Sequence, residues 1–227
     1  MKKIIIIVTC ILVVSALGWW AMTSGVRSSA RYYDALERET DTYISATFLP
    51  GADGNPVRNE LNRMLGESLS DILSESERLE RANRGLVLLD DLERQIDAIG
   101  ETKSSLEARL SALDEELSYV PAFMSGDRGR IREHVSRLYV IADDIRGLSY
   151  RANYHTSQIF DRIITDGGVL TVEHITFLNG QIPQIETQFD ERTNLYAELE
   201  SIESALGILY KDLRASSQAF PLSLFAE

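Results

Sequence analysis

The residues able to do chemistry are few and scattered. Of the three histidines, His134, His155 and His174, no two have the i, i+4 spacing with which a helix offers two imidazoles to one metal ion. None stands in a His-Glu-x-x-His or Glu-x-x-His arrangement. They read as isolated surface or half-buried side chains. The acidic groups Asp90-Asp91, Asp114-Glu115-Glu116 and Asp143-Asp144 would do acid–base work only if buried together. On helices with heptad patterning they belong to the solvated face. The run Asp53-Gly54-Asn55 begins like a calcium loop but lacks the later oxygen ligands and the closing Glu, so it reads as a turn. There is no Gly-x-Ser-x-Gly, no phosphate-cradling Gly-rich loop and no dinucleotide fingerprint. The single cysteine, Cys10, excludes an intrachain disulfide and a Cys-based zinc site. The sequence points to a protein that is not an enzyme and has no catalytic residue, metal ligand or cofactor.

One stretch differs in charge. Between Arg128 and Arg151 stand six arginines against three acids, in a chain of formal charge -12. Arg137, Arg146 and Arg151, with Tyr139, Tyr150 and Tyr154 nearby, form a candidate ligand- or partner-binding set. Guanidinium forks hold a carboxylate, a phosphate or an acidic helix, and the tyrosines add aromatic surface. The alternative is that these arginines pair with the acidic helix at 57–119 across a bundle. A second candidate is the apolar tail, where Phe220, Leu222, Leu224 and Phe225 either cap the bundle or dock on another protein.

The N-terminus indicates where these residues sit. Met1-Lys2-Lys3 precedes Ile4 to Met22, a run of 19 residues without a charge. As a helix it spans roughly 28 Å, about the thickness of a bilayer hydrocarbon core. Trp19 and Trp20 stand at its far end, where indoles favour the headgroup level. The run is long for a signal peptide, and Thr23-Ser24-Gly25 is a poor cleavage site. Lipidation at Cys10 would leave only about six apolar residues before it. An uncleaved signal-anchor at 4–22 is therefore favoured over a cleaved, secreted product. Lys2 and Lys3 favour an inside N-terminus, which places residues 23–220 and the tail 221–227 outside the membrane, in the periplasm if the organism is a bacterium. Two of the 23 basic residues precede the span and all 35 acids follow it. The outer part is therefore acidic and ill suited to nucleic acid.

Beyond the span, Leu, Glu, Arg, Ala and Ser dominate and β-alternation is rare. Breakers cluster at Pro50 to Pro56, at Pro121 to Gly129, at Asp166-Gly167-Gly168 and at Pro221. Helices are expected at about 26–48, 57–119, 130–165 and 171–218, the first continuing from the span and the last kinked or ended by Pro183. Heptad steps link Leu61, Leu65, Ile72, Leu79 and Leu86, and from Leu89 they run through Leu92, Ile96, Ile99, Leu106, Leu110, Leu113 and Leu117. Leu86–Leu89–Leu92 is a stammer beside Gly85. One long helix is favoured over a fold-back at Gly85 or Gly100. Narrow apolar stripes are not stable alone in water, and loops of about 5–9 residues make neighbours antiparallel.

The expected fold is therefore all-α: a transmembrane helix followed by an elongated antiparallel helical bundle or coiled coil. The expected function is a structural one, a single-pass membrane protein that scaffolds a membrane complex through protein–protein contacts. Leu61, Leu65, Ile72, Leu79 and Leu86 are the candidate oligomer seam. The alternative is a ligand-binding or sensory four-helix bundle using the Arg/Tyr stretch.

Overall fold

In the computed structural model residues 2–51, 54–112 and 125–219 are described, with side chains over 11–20, 33–51, 54–112 and 129–215. Among them every regular element is helical. The α-helices are α1 (Lys2–Phe48), α2 (Pro56–Ser68), α3 (Glu75–Ser111), α4 (Ser125–Thr165) and α5 (Val172–Ala219), with a 3-10 turn at Leu49–Gly51. No strand occurs among the described residues. The chain forms two compact units. One comprises residues 1–40, 105–135 and 204–227; the other comprises residues 41–104 and 136–203.

In the first unit Tyr33, Leu36 and Thr40 of α1, Leu106 of α3, Ile131 and Val135 of α4, and Leu206, Leu209, Tyr210 and Leu213 of α5 are buried. The Thr40 and Tyr210 hydroxyls lie 3.0 Å apart, and Arg214 pairs with Asp34 at 2.8 Å and with Glu37. Further back along α1 the pattern changes. Every residue from Ile11 to Trp20 is exposed, although Ile11, Leu12, Val13, Val14, Leu17, Trp19 and Trp20 are large apolar side chains. Among the described residues no helix is long and apolar enough to cross a membrane. Of the uncharged run 4–22, the described side chains take in residues 11–20. Gly25 does not interrupt α1.

In the second unit the expected long helix at 57–119 is broken between Ser68 and Glu75, not at Gly85 or Gly100. The break has a local cause. Ser74 caps α3 through a reciprocal box: its amide donates to Glu77 Oε2 at 2.9 Å, and the Glu77 amide donates back to Ser74 Oγ at 3.4 Å. The α2–α3 hairpin is laced by ion pairs, Arg81 to Glu67 at 2.7 Å and Arg84 to Glu60 at 2.9 Å, with Arg63 bridging both acids at 2.6 Å. Arg63 holds the Glu60 carboxyl below the usual carboxylate range, and Arg81 and then Arg63 do the same for Glu67. The expected helix end near 119 lies outside the described residues.

Arg78, buried on α3, ties two turns together. Its Nε donates to the Gly168 carbonyl at 2.7 Å, and its Nη1 donates to the carbonyls of Leu73 at 2.7 Å and Ser70 at 3.1 Å. The turn after α4 ends in a glycine cap, with the Gly168 amide donating to the Ile163 carbonyl and the Gly167 amide to that of Ile164. Thr171 then caps α5 with a histidine as partner: the Thr171 amide donates to His174 Nδ1 at 3.1 Å, and the His174 amide donates to Thr171 Oγ1 at 3.3 Å. Nε2 of this buried His174 lies 2.5 Å from Asp166, which links the start of α5 to the turn after α4. Helix α5 runs through Pro183 without ending, because the missing amide falls on an exposed position. Helix α4 begins at Ser125, inside the stretch expected to be loop up to Gly129.

The core of this unit gathers Leu61, Met64, Ala82, Leu89, Leu92, Ile96, Ile159, Phe160, Ile163 and Ile185. The stammer at Gly85 has a packing cause: a Cβ there would overlap the ring of fully buried Phe160. Gly85→Ala is expected to cost roughly 1–2 kcal/mol, the overpacking penalty exceeding the gain in helix propensity. Thermal unfolding checks this; an equal or higher Tm would show that α3 and Phe160 separate freely.

Candidate functional site

The six residues of the Arg/Tyr candidate set all lie on α4, but the structure does not converge them on one cavity. Arg137 pairs with Glu198 of α5. Tyr139 packs edge-on against Tyr43, ring centroids 5.6 Å apart, beneath the Lys103 ammonium. Arg146 lies 3.5 Å from Asp97 of α3 and over the Tyr150 ring, while the Tyr150 hydroxyl donates to the same Asp97. Burial, and then the hydrogen bond to Asp97, push the Tyr150 phenol above its ordinary value. Tyr154 is exposed and meets only His155 edge-on among the rings described. Arg146 therefore cross-links α4 to the acidic α3, and Arg137 cross-links α4 to α5. Both arginines are thus engaged by carboxylates of neighbouring helices.

Arg151 borders an open groove of about 610 Å³ between α4 and α5. Asp143, Asp144, Glu191 and Glu198 also line it, so its wall is acidic. Asp143 is engaged by Lys103 at 2.8 Å and Glu198 by Arg137. Among the described residues no group of three or more His, Cys, Asp or Glu is placed to hold a metal ion.

The candidate oligomer seam is divided. Leu61 is in the core, and Leu65 and Leu86 pack against it. Leu79 is half-buried. Ile72, in the turn between α2 and α3, is 91% exposed. Among the described residues, the fold-back thus turns most of this candidate seam onto the chain's own helices. The tail candidates Phe220, Leu222, Leu224 and Phe225 lie outside the described residues.

A site that the sequence reading missed lies where the end of α1 and the turn Leu49–Gly51 meet α2 and α5. Arg192 of α5 is 5% exposed. Its Nη1 donates to buried Ser149 Oγ at 3.4 Å, and its guanidinium lies over the rings of Phe189 at 4.7 Å and Tyr196 at 5.8 Å. Among the described residues no carboxylate comes within ion-pair distance of it. Arg58 of α2 approaches the same Phe189 ring at 5.6 Å and donates to the Gly51 carbonyl. Burial holds the Arg192 pKa below the usual arginine range, Tyr196 works against that shift, and the charge on Arg58 adds to it. Burial raises the Tyr196 phenol, so it stays a donor at neutral pH. An outer cleft of about 280 Å³ is lined by Phe48, Gly51, Arg58, Phe189, Arg192, Thr193, Tyr196 and Glu200. A small inner cavity of about 30 Å³ adjoins Arg192 and Asn153.

No protein family, curated protein or solved structure matches this chain.

Proposed function

We propose that this chain is a non-enzymatic, membrane-anchored helical-bundle protein that helps to assemble a membrane or envelope complex through protein–protein contacts. The observation that carries the reading is on α1. Residues 11–20 are helical, apolar and exposed on every side, whereas the same helix buries a stripe from Tyr33 onward. A helix that is uncharged and exposed all round suits a lipid environment. With residues 4–22 in the bilayer and Lys2 and Lys3 inside, the acidic bundle faces outward, which in a bacterium is the periplasm.

The contact surface we assign is not the buried seam. It is the end of the second unit that Arg78 ties together, where Ile72, Val172 and Ile175 stand exposed beside the two turns. In detergent micelles the full chain is expected to elute as a dimer or larger oligomer by light scattering, and Ile72→Asp with Val172→Asp is expected to return it to monomer. A wild-type monomer across a dilution series would overturn self-assembly through this end.

A second reading is favoured by a separate observation. The second unit fills its own core and keeps a cleft beside Arg192. Those are the features of a ligand-binding or sensory bundle.

A further inference from the structure

Arg192 is costly where it stands. A guanidinium removed from water without an anionic partner loses its hydration and gains little in return. Its cation–π contacts recover part of that loss. Close by, Asn153 is 5% exposed, and its Nδ2 has no hydrogen-bond partner. The Tyr196 hydroxyl is likewise buried without a partner, set hard against Gly51. Arg192, Asn153 and Tyr196 thus bring donors to the inner cavity and the adjoining cleft, and the Arg58 guanidinium lines both. The carboxylate in the lining is that of Glu200, exposed at the outer cleft's edge.

The dimensions narrow the ligand. Holding one water needs only roughly 10–15 Å³, so the small inner cavity of about 30 Å³ suits a group the size of a carboxylate better than a bulkier phosphate. The outer cleft of about 280 Å³ is at the small end for ligand sites. Its walls are aromatic: Phe48 and Tyr196 stack with centroids 5.3 Å apart and planes at 28°, and Phe189 stands opposite Arg192. Glu200 opposes a second negative group at the mouth.

We propose that this cleft binds a small organic monocarboxylate with a flat apolar body, its carboxylate on Arg192 and Asn153 and its body against Phe48, Phe189 and Tyr196. The proposal goes beyond anchoring and assembly and rests only on the ligand-binding reading. The light-scattering result therefore does not bear on it.

The test is thermal unfolding and calorimetric titration of the full chain in detergent micelles with acetate, benzoate and phenylacetate. Benzamide and inorganic phosphate serve as the neutral and polyanionic controls. Benzoate or phenylacetate is expected to raise Tm in a saturable way, acetate less, and the two controls not at all. Arg192→Met is expected to keep or raise the Tm of the free protein, since it removes an uncompensated buried charge, and to weaken benzoate binding at least tenfold. Asn153→Leu, close in shape, is expected to weaken binding without lowering Tm. No shift with any of the three carboxylates would overturn the proposal. So would an equal shift with phosphate or benzamide. A large fall in Tm of free Arg192→Met would also overturn it, because Arg192 would then be holding Ser149 and Phe189 in place.

Discussion

Replacing Gly168 with alanine is expected to cost about 3–4 kcal/mol and to lower Tm by roughly 6–16 °C, taking about 2–4 °C per kcal/mol for a chain of this size. Two costs combine. Gly168 has φ 79°, the left-handed region, where a side chain costs roughly 1–2 kcal/mol. A Cβ would also overlap the carbonyl oxygen of Glu75 and lie 3.0 Å from its carbon. Glu75 is the first residue of α3, so it yields only if the Ser74–Glu77 cap moves. The carbonyl of Gly168 meanwhile accepts the Nε–H of Arg78, so the same displacement loosens the residue that ties both turns. Gly167→Ala is the control. Its φ is 65°, but nothing lies within 4 Å of its Cβ position, so only the conformational cost of about 1–2 kcal/mol applies. Equal losses in the two variants would mean that the α4–α5 turn does not press on the start of α3.

That contact explains what was and was not legible in the sequence. The helices were, because apolar residues at three- and four-residue steps allow little else. The fold-back between α2 and α3 was not. The steps Leu65, Ile72 and Leu79 run across the turn as if it were helix, and no Gly or Pro marks it. The signal that was present is chemical: Ser74-x-x-Glu77 is a capping box, and Ser68 and Glu75 are the polar members of the heptad on either side of the turn. Spacing counts apolar positions and does not see that Ile72 emerges into solvent. At Gly85 the register change was visible, but its cause was not, because Phe160 lies 75 positions further along the chain.

The candidate site was legible only in part. The arginine-rich stretch on α4 stood out by contrast with its acidic surroundings. Contrast of charge is also what ion pairing produces, and Arg137 and Arg146 pair with Glu198 and Asp97. Arg192 was hidden for the opposite reason. It follows Asp190 and Glu191 and reads as one charge among several on a solvated face. Helical geometry sends those acids outward and Arg192 inward, under the turn at Leu49–Gly51. Burial of a charge depends on what the tertiary structure lays over it, and no local pattern records that. Asn153 is similar: an amide between exposed and buried positions of α4 carries no mark of lacking a partner.

If residues 4–22 anchor the chain as proposed, Val13→Arg combined with Leu17→Arg is expected to move the protein from the membrane pellet to the soluble fraction, with membrane retention falling at least a hundredfold. An arginine near the centre of a span costs roughly 2.5–3.5 kcal/mol on insertion scales, and each lost Val or Leu removes a few tenths more. Val13 lies at the middle of the uncharged run 4–22. Two such changes exceed what a single span of this length supplies in excess, even with snorkelling of the second arginine. Both positions are exposed in the structure, so neither change opens a cavity or breaks a core contact. The bundle from Tyr33 onward should keep its thermal transition. Fractionation with alkaline extraction reads the first effect, and circular dichroism of the released protein reads the second. Retention in the pellet with an unchanged transition would sink the anchor. The exposed apolar stretch of α1 would then have to be covered by protein, which returns the question to assembly through that helix.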